Sequence, residues 1–548
     1  MPDNLSLGQG KHFIDQSLRP LLIGGLKGIE KEGLRVNTRG SISQLLHPVK
    51  LGAALTHPNI TTDYSEALLE LITPALADEN DMLAFLTDLH KYVCANLDDE
   101  LLLATSMPVG DLWAIPIARY GSSNVGKMKS IDRQGLSHRY GRCMQVIAGI
   151  HFNYSLPEPF WPQYQHLMGH NGDLQSFMTN AYMGMIRNLQ RYGWLITYLF
   201  GSSPAVSKSF INSRNSAYSH TLMKWDETSY YKPFATSLRT SGIGYVNPVQ
   251  SMFHISFNGL EEYIRDLSSA TTTPYLEYEK IGAKVGDQYR QLNTNLLQIE
   301  NEYYTSVRPK QPTRPNERPL EALRNRGIQY VEIRSVDIDI FEPAGISLET
   351  TRFLEAFSLL CLFKQNPLHD LKQYEEIRMN SLSVANRGRD PALKLSNNGV
   401  EISLQQWALR LCEEMREISE ALDNGNANKS YTRALHKQIE AIRDPELTAS
   451  ARMLAIMHDE KLSITDLTLQ KSQSYTHYFQ STALDESVRR NLDFQAKASL
   501  EQQERLNTMN EISFDKYLSN YFSTDTTADK VHLQDQGTPY SVAGASTR

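Results

Sequence analysis

The stretch GLKGIEKEGLRVN, residues Gly25–Asn37, decides what kind of fold this sequence can form. It reads as a β-strand, on which residues i and i+2 point to the same face. Glu30 and Glu32 would then stand side by side. Two like charges about 4 Å apart repel by roughly 4 kcal/mol at an effective dielectric constant near 20. Either a solvated sheet edge or a bound cation must therefore offset this repulsion.

Further segments alternate between apolar and polar residues in the same way. They are MQVIAGIHFNYSL (144–156), SMFHISF (251–257), NLLQIENEYY (295–304) and GIQYVEIRSVDI (327–338). In the first segment Ile150, Phe152 and Tyr154 share one face, opposite His151 and Asn153. Such alternation predicts half-buried strands with an unusually polar second face.

The segment TTDYSEALLELITP (61–74) fits two structures. A helix would place Asp63, Glu66 and Glu70 on one face, and intrinsic propensity favours this helix. A strand would instead align Glu66 with Glu70 on one side of a sheet. If segment 61–74 is counted as a strand, the sequence contains six predicted strands. This pattern predicts an α+β fold, with helices on the apolar face of an antiparallel or mixed sheet and an open, acidic polar face.

Helical periodicity dominates the rest of the chain. We expect helices over Met82–Leu103, Leu174–Leu199 and Leu348–Phe363, and a buried apolar stripe from Leu404 to Leu422 that ends at Asn424 and Gly425. The region from about residue 346 to 521 reads as all-α, and the polar, aperiodic end as a disordered tail. We therefore divide the chain into a catalytic sheet-and-helix unit (1–345), a helical region (346–522) and a tail (523–548).

Composition excludes several classes of function. The chain of 548 residues has a formal net charge of −7, so it lacks the basic field of a nucleic-acid-binding protein. Its four cysteines are widely spaced, which indicates reduced thiols and no thiolate zinc site. The N-terminal stretch lacks the features of a signal peptide, and YGWLITYLF (192–200) is about half the length needed to span a bilayer. We expect a cytoplasmic protein without membrane contact.

Carboxylates recur on the polar face of the predicted sheet. The set comprises Glu30, Glu32, Glu66, Glu70, Glu300, Glu302 and Glu332, with His151 and Arg334 among them and Asp63 at the strand mouth. Crowded carboxylates need hard divalent cations to neutralise them, and oxygen ligands with few histidines favour magnesium or manganese over zinc. The alternative is that these are ordinary surface glutamates, and that His151 is a satisfied core histidine.

Two basic loops flank the predicted strands. RYGSSNVGKMKSIDRQGLSHRYGR (119–142) contains Lys127 and Lys129, and RPKQPTRPNERP (308–319) joins the segments of Glu300 and Glu332. Neither matches a known phosphate-binding motif, and either could be a solvated loop. Together with a metal and Arg334, however, these loops favour phosphoryl transfer from a nucleotide, which depends on positioning and charge neutralisation.

Seven segments together resemble one enzyme family. They are GIEKEGLRV, LTHPNITTDYSEALLELITP, MQVIAGIHFNYSLP, YLFGSSPA, FATSLRTSGIGY, LQIENEYYTSVRPK and YVEIRSVDI, between about Gly25 and Phe341. Their sequence and order resemble glutamate-cysteine ligase (γ-glutamylcysteine synthetase) of the proteobacterial type. The resemblance implies the carboxylate-amine ligase fold of glutamine synthetase, a curved six-stranded antiparallel sheet that forms a cup with surrounding helices. It therefore favours a strand for EALLELIT.

The resemblance also implies a reaction. In this family ATP phosphorylates the γ-carboxylate of L-glutamate, and the amine of L-cysteine then displaces phosphate, which gives γ-glutamylcysteine for glutathione biosynthesis. ATP is a co-substrate and Mg²⁺ the metal, for which we expect that Mn²⁺ can substitute. A monomer is compatible with the resemblance, and feedback by glutathione stays open.

Matched motif by motif, the resemblance implies roles for individual residues. Glu30, Glu32, Asp63, Glu70, His151 and Glu332 resemble ligands of magnesium and of the ATP phosphates, and Arg334 resembles the residue that stabilises the transferring phosphoryl group. Gln145 and Asn153 resemble glutamate contacts, Arg239 a clamp on a substrate carboxylate, and Tyr245 and Tyr304 the walls of the cysteine pocket. We assign catalysis to Arg334, Glu332 and Arg239, and nucleotide contacts to Lys127, Lys129 and Arg334.

Two rival functions remain at this point. A ligase of the same fold could join glutamate to another amine, because pocket tyrosines tolerate small changes in substrate. A non-catalytic nucleotide- or metal-binding module would carry the same acidic face without turnover.

Overall fold

The computed structural model describes residues 14–213, 219–314, 317–509 and 512–523. The predicted tail lies outside these residues from position 524 onward. Among the described residues, no helix has both the length and the apolar character that a membrane span requires.

Strands and helices alternate along the first two thirds of the chain, and helices dominate the remainder. The strands are β1 (Leu26–Asn37), β2 (Ile60–Thr62), β3 (Leu68–Ile72), β4 (Glu100–Leu102), β5 (Ile150–Ser155), β6 (Ala205–Ser207), β7 (Met223–Lys224), β8 (Ser229–Tyr231), β9 (Lys284–Val285), β10 (Gln288–Tyr289), β11 (Val307–Lys310), β12 (Tyr330–Val336), β13 (Lys394–Asn397) and β14 (Val400–Ser403). The α-helices are α1 (Glu79–Asn96), α2 (Asn124–Tyr140), α3 (Phe160–Leu167), α4 (Leu174–Tyr192), α5 (Trp194–Phe200), α6 (Lys208–Asn212), α7 (Leu260–Thr272), α8 (Leu276–Ile281), α9 (Pro319–Arg326), α10 (Leu348–Phe363), α11 (Leu371–Arg387), α12 (Leu404–Glu414), α13 (Arg416–Asp423), α14 (Ser430–Arg443), α15 (Ala449–Asp459), α16 (Ile464–Ser481), α17 (Glu486–Thr508) and α18 (Phe514–Ser523).

One antiparallel sheet organises the molecule. Its strand order is β11-β12-β5-β1-β3-β2, and the short strand β4 pairs with the far end of β1. The ambiguous segment 61–74 contributes strands β2 and β3, so the strand expected from the family resemblance is confirmed over Leu68–Ile72. The α+β class and the antiparallel sheet are confirmed with it.

Two of the predicted strands are wrong. Segment 251–257 and segment 295–304 contain only the 3₁₀ turns Pro248–Met252 and Glu300–Glu302 near their ends. The alternation in the second segment breaks down because neighbouring residues Leu297 and Gln298 are both buried. The six-strand path is completed instead by β2 and by β11. Strand β5 also begins later than predicted, because Met144–Val146 forms a 3₁₀ turn.

Strand β1 is charged on both faces. The face opposite Glu30 and Glu32 carries Lys27 and Arg35, both buried against other elements. Lys27 Nζ lies 2.9 Å from Glu355 of α10, and Arg35 lies 2.6 Å from Glu100 of β4. These buried ion pairs fix the reverse face of β1 to helix α10 and to strand β4.

The helical region packs directly onto the sheet unit, and one continuous hydrophobic core runs through both. The predicted stripe from Leu404 is buried, although it is divided between α12 and α13, and it ends as predicted with Asn424 and Gly425 at positive φ. The all-α prediction for 346–521 is wrong at one place, since β13 and β14 form a hairpin. Its turn, Asn398-Gly399, has positive φ at both residues, as tight hairpins require.

Two predicted helix boundaries also change. The helix expected to reach Leu103 ends at Asn96, because Glu100–Leu102 is taken into the sheet as β4. The helix expected from Leu174 to Leu199 is interrupted at Gly193, where α4 gives way to α5. Helix α10 matches its predicted bounds.

The buried pair on β1 generates a prediction about stability. Substitution Lys27→Met should lower the free energy of unfolding by about 3–5 kcal/mol, because Glu355 would be left buried without its cation. Urea denaturation followed by circular dichroism measures the shift. Lys394→Met is the control, since its partner Glu401 is exposed, and the loss there should stay below about 1 kcal/mol. Equal shifts in the two variants would contradict the assignment.

Candidate active site

The register of the sheet brings the predicted acidic residues onto one surface. Glu30 of β1 lies opposite His151 of β5, and Glu32 lies opposite Glu70 of β3. On the other side of β5, Asn153 lies opposite Glu332 of β12. Directly opposed residues share a face of an antiparallel sheet. We call the surface formed by Glu30, Glu32, Glu70, His151 and Glu332 the acid cup.

The centre of the acid cup has the donor arrangement of a metal site. Glu30, Glu70 and His151 each offer one ligand atom, and these atoms lie within 4.8 Å of one another. His151 Nδ1 lies 3.1 Å from Glu30 Oε2, and Asn153 donates a 3.0 Å hydrogen bond to Glu30 Oε1. Burial raises the pKa of Glu30, but its contacts with His151 and Lys310 lower the pKa by more. The net pKa of Glu30 is therefore below its usual value.

Glu332 lies beside three positively charged or polar groups. Its Oε1 is 3.0 Å from Arg334 Nη1, 3.5 Å from Lys310 Nζ and 3.6 Å from His151 Nδ1. Burial opposes ionisation, yet the charges of Lys310 and Arg334 hold the pKa of Glu332 well below its usual range. Its second oxygen, Oε2, is buried and has no hydrogen-bond partner among the described residues. A buried, ionised carboxylate oxygen without a partner is an available ligand.

The remaining two carboxylates resist ionisation. Burial and the charge of Asp63 raise the pKa of Glu32 to about 8, although its carboxylate accepts a 2.6 Å hydrogen bond from the N–H of Gly149. Burial and the charges of Glu30 and Asp63 raise the pKa of Glu70 well above its usual value. Burial is the largest cause of both shifts, and the charges of neighbouring carboxylates add to it.

The donor set fits a hard divalent cation. Carboxylate oxygens dominate, a single imidazole contributes nitrogen, and the four cysteines are buried. Such ligands suit magnesium or manganese. Asp63 stands at the mouth, with its side chain 36% exposed and 3.8 Å from Arg133. It can therefore reach a ligand that enters the cup.

Three predicted acidic residues are engaged elsewhere. Glu66 accepts hydrogen bonds from the backbone N–H groups of His47 and Arg119. Glu300 pairs with Arg318 at 2.9 Å, and Glu302 binds Arg139 and Tyr140. The expectation that these three residues belong to the open acidic face is wrong, because the strand that would have presented the last two does not form.

The basic residues divide in the same way. Lys127 is exposed on α2, whereas Lys129 lies over the ring of Tyr120 at 4.5 Å, near Glu70. Burial lowers the pKa of Lys129 to about 8. Arg133, one helical turn further along, donates to the backbone oxygen of Asp63 at 3.0 Å. Arg133 therefore lies beside Asp63 and Lys310 beside Glu332, whereas the sequence placed both only within the basic loops.

A second group of predicted residues forms a cluster of contacting side chains next to the acid cup. The rings of Tyr245 and Tyr304 lie 5.6 Å apart, and Gln145 donates a 2.9 Å hydrogen bond to the hydroxyl of Tyr304. Arg239 lies 5.8 Å from the ring of Tyr245, and its Nη2 donates to the backbone oxygen of Arg334 at 2.9 Å. The buried Nε of Arg239 has no partner among the described side chains and backbone groups. It is therefore a donor available to a ligand.

A cavity of about 360 Å³ opens at the edge of the sheet beyond β11. Lys310 connects it to the acid cup, because this side chain lines the cavity and also contacts Glu332. Tyr263, Arg308 and Tyr330 contribute aromatic and charged groups to its wall.

Comparison with known proteins identifies the family of this chain. A family model for glutamate-cysteine ligase matches residues 11–384. The glutamate–cysteine ligase of Alcanivorax borkumensis is 42% identical over 508 residues, which cover 91% of this chain and 96% of that protein. That of Pseudomonas aeruginosa is 43% identical over 504 residues, covering 92% and 95%.

Solved structures give the same result. The glutamate–cysteine ligase of Francisella tularensis in complex with AMP superposes with a TM-score of 0.86 at 34% identity, covering 92% of this chain and 99% of that one. A bifunctional glutathione synthetase from Pasteurella multocida shares the fold, with a TM-score of 0.68 at 24% identity over 88% of this chain and 57% of that one. This chain belongs to the glutamate-cysteine ligase family.

Proposed function

We propose that the acid cup binds divalent ions together with the terminal phosphate of ATP, and that the adjoining pocket binds the two amino acids. The chain ligates the γ-carboxylate of L-glutamate to the amine of L-cysteine in an ATP-dependent reaction that gives γ-glutamylcysteine, ADP and phosphate. The observation that carries the proposal is the convergence of Glu30, Glu70 and His151 within 4.8 Å, from three neighbouring strands.

The metal proposal follows from the electrostatics of the cup. Glu30, Glu70 and His151 would hold one ion, and Glu32, Asp63 and Glu332 would hold further ions. A bound Mg²⁺ would supply positive charge that neutralises these carboxylates and the charge on the transferring phosphoryl group. The raised pKa values of Glu32 and Glu70 and the unpartnered Oε2 of Glu332 support this assignment. Mn²⁺ should substitute, because it accepts the same oxygen ligands.

The first chemical step transfers a phosphoryl group. An oxygen of the glutamate γ-carboxylate bonds to the γ-phosphorus of ATP, the bond to the β,γ-bridging oxygen breaks, and ADP leaves. Arg334 lies 3.0 Å from Glu332, which orients its guanidinium over the cup where it can neutralise charge on the transferring group. Lys129 and Arg133 supply positive charge from the opposite wall, beside Asp63.

The second step forms the amide bond. The amine nitrogen of cysteine attacks the acyl carbon of γ-glutamyl phosphate, the bond from carbon to the phosphate oxygen breaks, and phosphate leaves as the amine loses a proton. Arg239 would hold a substrate carboxylate, which suits a guanidinium fork with a free donor. Tyr245 and Tyr304 would enclose the cysteine side chain, and Gln145 and Asn153 would contact glutamate.

The nucleotide base would occupy the cavity beyond β11. Its aromatic residues Tyr263 and Tyr330 can pack against a purine, and Lys310 lies between the cavity and Glu332. This placement leads the phosphate chain from the sheet edge into the acid cup.

The rival functions are separated by measuring phosphate release from ATP. Glutamate is supplied with a panel of amines that includes cysteine, 2-aminobutyrate and glycine. A cysteine ligase should release phosphate fastest with cysteine, and 2-aminobutyrate should follow because its side chain has a similar volume. A binding module would release none. In the same assay, Arg334→Ala should lower kcat by about 10²–10³-fold, the range observed when one charge-stabilising donor is removed. Glu332→Gln should also lower kcat, because it removes the negative charge of a proposed metal ligand. Glu401→Gln, an exposed position, is the control, and unchanged kcat in both cup variants would refute the proposed mechanism.

The two lysines of α2 form a matched pair for testing nucleotide contact. Lys129→Ala should raise the KM for ATP by about tenfold, because Lys129 lies among the charges of the cup, whereas Lys127→Ala should leave it within about twofold, because Lys127 points to solvent. Steady-state kinetics at saturating amino acids measures both. An equal effect of the two substitutions would argue against phosphate contact by Lys129.

Metal removal should make stability depend on pH. The pKa of Glu32 is raised to about 8, so the folded protein binds more protons than the unfolded chain between roughly pH 5 and pH 8. The free energy of unfolding of chelator-treated protein should therefore fall as pH rises through this window, by up to about 1.4 kcal/mol per pH unit for each such group. Thermal unfolding at pH 5.5 and pH 8 tests this prediction.

Two controls accompany the pH experiment. Added Mg²⁺ should raise Tm more at pH 8 than at pH 5.5, since it binds the ionised carboxylates. Glu32→Gln should reduce the pH slope of the chelated protein, whereas Glu401→Gln, at an exposed position, should not. A Mg²⁺-induced rise in Tm that is equal at both pH values would contradict the electrostatic account.

A further inference from the structure

Asp337 is a buried carboxylate that lies directly after β12 and has no role in the mechanism above. Its Oδ2 accepts hydrogen bonds from the N–H of Ser202 at 2.9 Å and from the hydroxyl of Ser203 at 2.5 Å. Its Oδ1 accepts from the hydroxyl of Ser237 at 3.0 Å. Three donors from two separate segments hold this anion in one place. A buried anion that is fixed so firmly can orient a neighbouring cation.

The neighbouring cation is Arg239. Its Nη1 lies 3.6 Å from Asp337 Oδ1, and its Nη2 donates to the backbone oxygen of Arg334. Of the three guanidinium nitrogens, these two are directed by the protein, and Nε is left for a ligand. Arg239 is carried on the 3₁₀ turn Leu238–Thr240, immediately after Ser237. The same short segment therefore supplies both Arg239 and Ser237, whose hydroxyl helps to hold Asp337 in place.

The other side of the guanidinium lies against Gly149. A Cβ at this position would come within 2.0 Å of Arg239 Nη2 and 2.5 Å of its Cζ. The space occupied by the guanidinium therefore exists only because residue 149 is glycine. Gly149 also precedes β5, so the close approach joins the substrate pocket to the strand that carries His151.

We infer that Asp337 and Gly149 are positioning residues for Arg239, and that together they aim its free donor edge at the carboxylate of an amino-acid substrate. This inference rests on the proposed function of Arg239. Asp337, which follows β12, attracts the guanidinium of Arg239 by its charge. Gly149 has no side chain and therefore leaves the space that the guanidinium occupies. Asp337 contacts none of the proposed metal ligands, and Gly149 contacts Glu32 only through its backbone groups, which Gly149→Ala retains. The effect of both substitutions should therefore appear in substrate binding and not in the chemical steps.

The central experiment compares Asp337→Asn with Arg239→Ala. Asparagine keeps the shape of the side chain and one acceptor oxygen for Ser202 and Ser203, but it presents no charge to Arg239. Arg239→Ala identifies which amino acid the guanidinium binds, because the KM for that substrate rises. Asp337→Asn should raise the same KM by about tenfold or more, and should leave the KM for ATP, the KM for the other amino acid and kcat within about twofold.

Gly149→Ala is an independent variant of the same kind. Its methyl group would displace the far end of the flexible Arg239 side chain, so we expect a folded protein with the same selective rise in KM. If Asp337→Asn fails to fold, this variant carries the test. Two matched controls lie away from the pocket. Asp423→Asn alters a buried carboxylate that accepts from the backbone N–H groups of Tyr431 and Thr432, and Gly259→Ala adds a methyl group that meets nothing within 4 Å.

The outcomes separate this inference from the proposed function. If Arg239→Ala changes neither amino-acid KM, the role proposed for Arg239 is wrong. If Arg239→Ala raises one KM and neither Asp337→Asn nor Gly149→Ala does, the positioning inference alone is overturned. In the double variant Arg239→Ala/Asp337→Asn, the second substitution should add no further rise in KM. An additive rise, or an equal loss in every kinetic constant, would show that Asp337 acts only on the fold.

Discussion

The structure depends on carboxylates that the antiparallel register holds together against their mutual repulsion. Glu32 stands opposite Glu70, and Glu30 stands opposite His151. Nearby arginine and lysine side chains keep Glu332 ionised but leave the pKa values of Glu32 and Glu70 raised. The protein thus holds part of its site in an electrostatically unfavourable state. In the proposed function, divalent ions and phosphate would relieve it together, so that binding and charge neutralisation would be one event.

Such repulsion requires a rigid frame, and the reverse face of β1 provides it. Lys27 pairs with Glu355 and Arg35 pairs with Glu100, all buried. Tyr431 of α14 also donates to Glu355 at 2.7 Å. The C-terminal helices are therefore bonded to the back of the strand whose front carries Glu30 and Glu32. Strand β1 carries Glu30 and Glu32 on one face and Lys27 and Arg35 on the other. A shift of its register by one residue would exchange the two faces and separate the buried cations from their carboxylate partners.

The sequence predicted the acid cup better than it predicted the sheet. Alternation alone placed Glu30, His151 and Glu332 on polar faces, because half-buried strands display that pattern directly. The same pattern failed at 295–304, where Glu302 is buried against Arg139 and the alternation reflects a folded loop. Strand β3 needed the family resemblance, because Leu and Glu favour helices locally. The Asn398-Gly399 pair is a sequence signal for a tight hairpin turn, which the all-α prediction for 346–521 did not take into account. Gly149 and Asp337 could not be recognised, since their roles exist only where distant segments meet.

A local irregularity in β12 joins the two halves of the site. The pairing of β12 with β5 shifts register between Ile333 and Val336. Within this shift, the side chain of Arg334 contacts Glu332 in the acid cup, while its backbone oxygen accepts from Arg239 in the substrate pocket. Bulged strands commonly re-aim side chains next to active sites. Arg334 thus contacts both the acid cup, where phosphate binding is proposed, and Arg239, for which carboxylate binding is proposed.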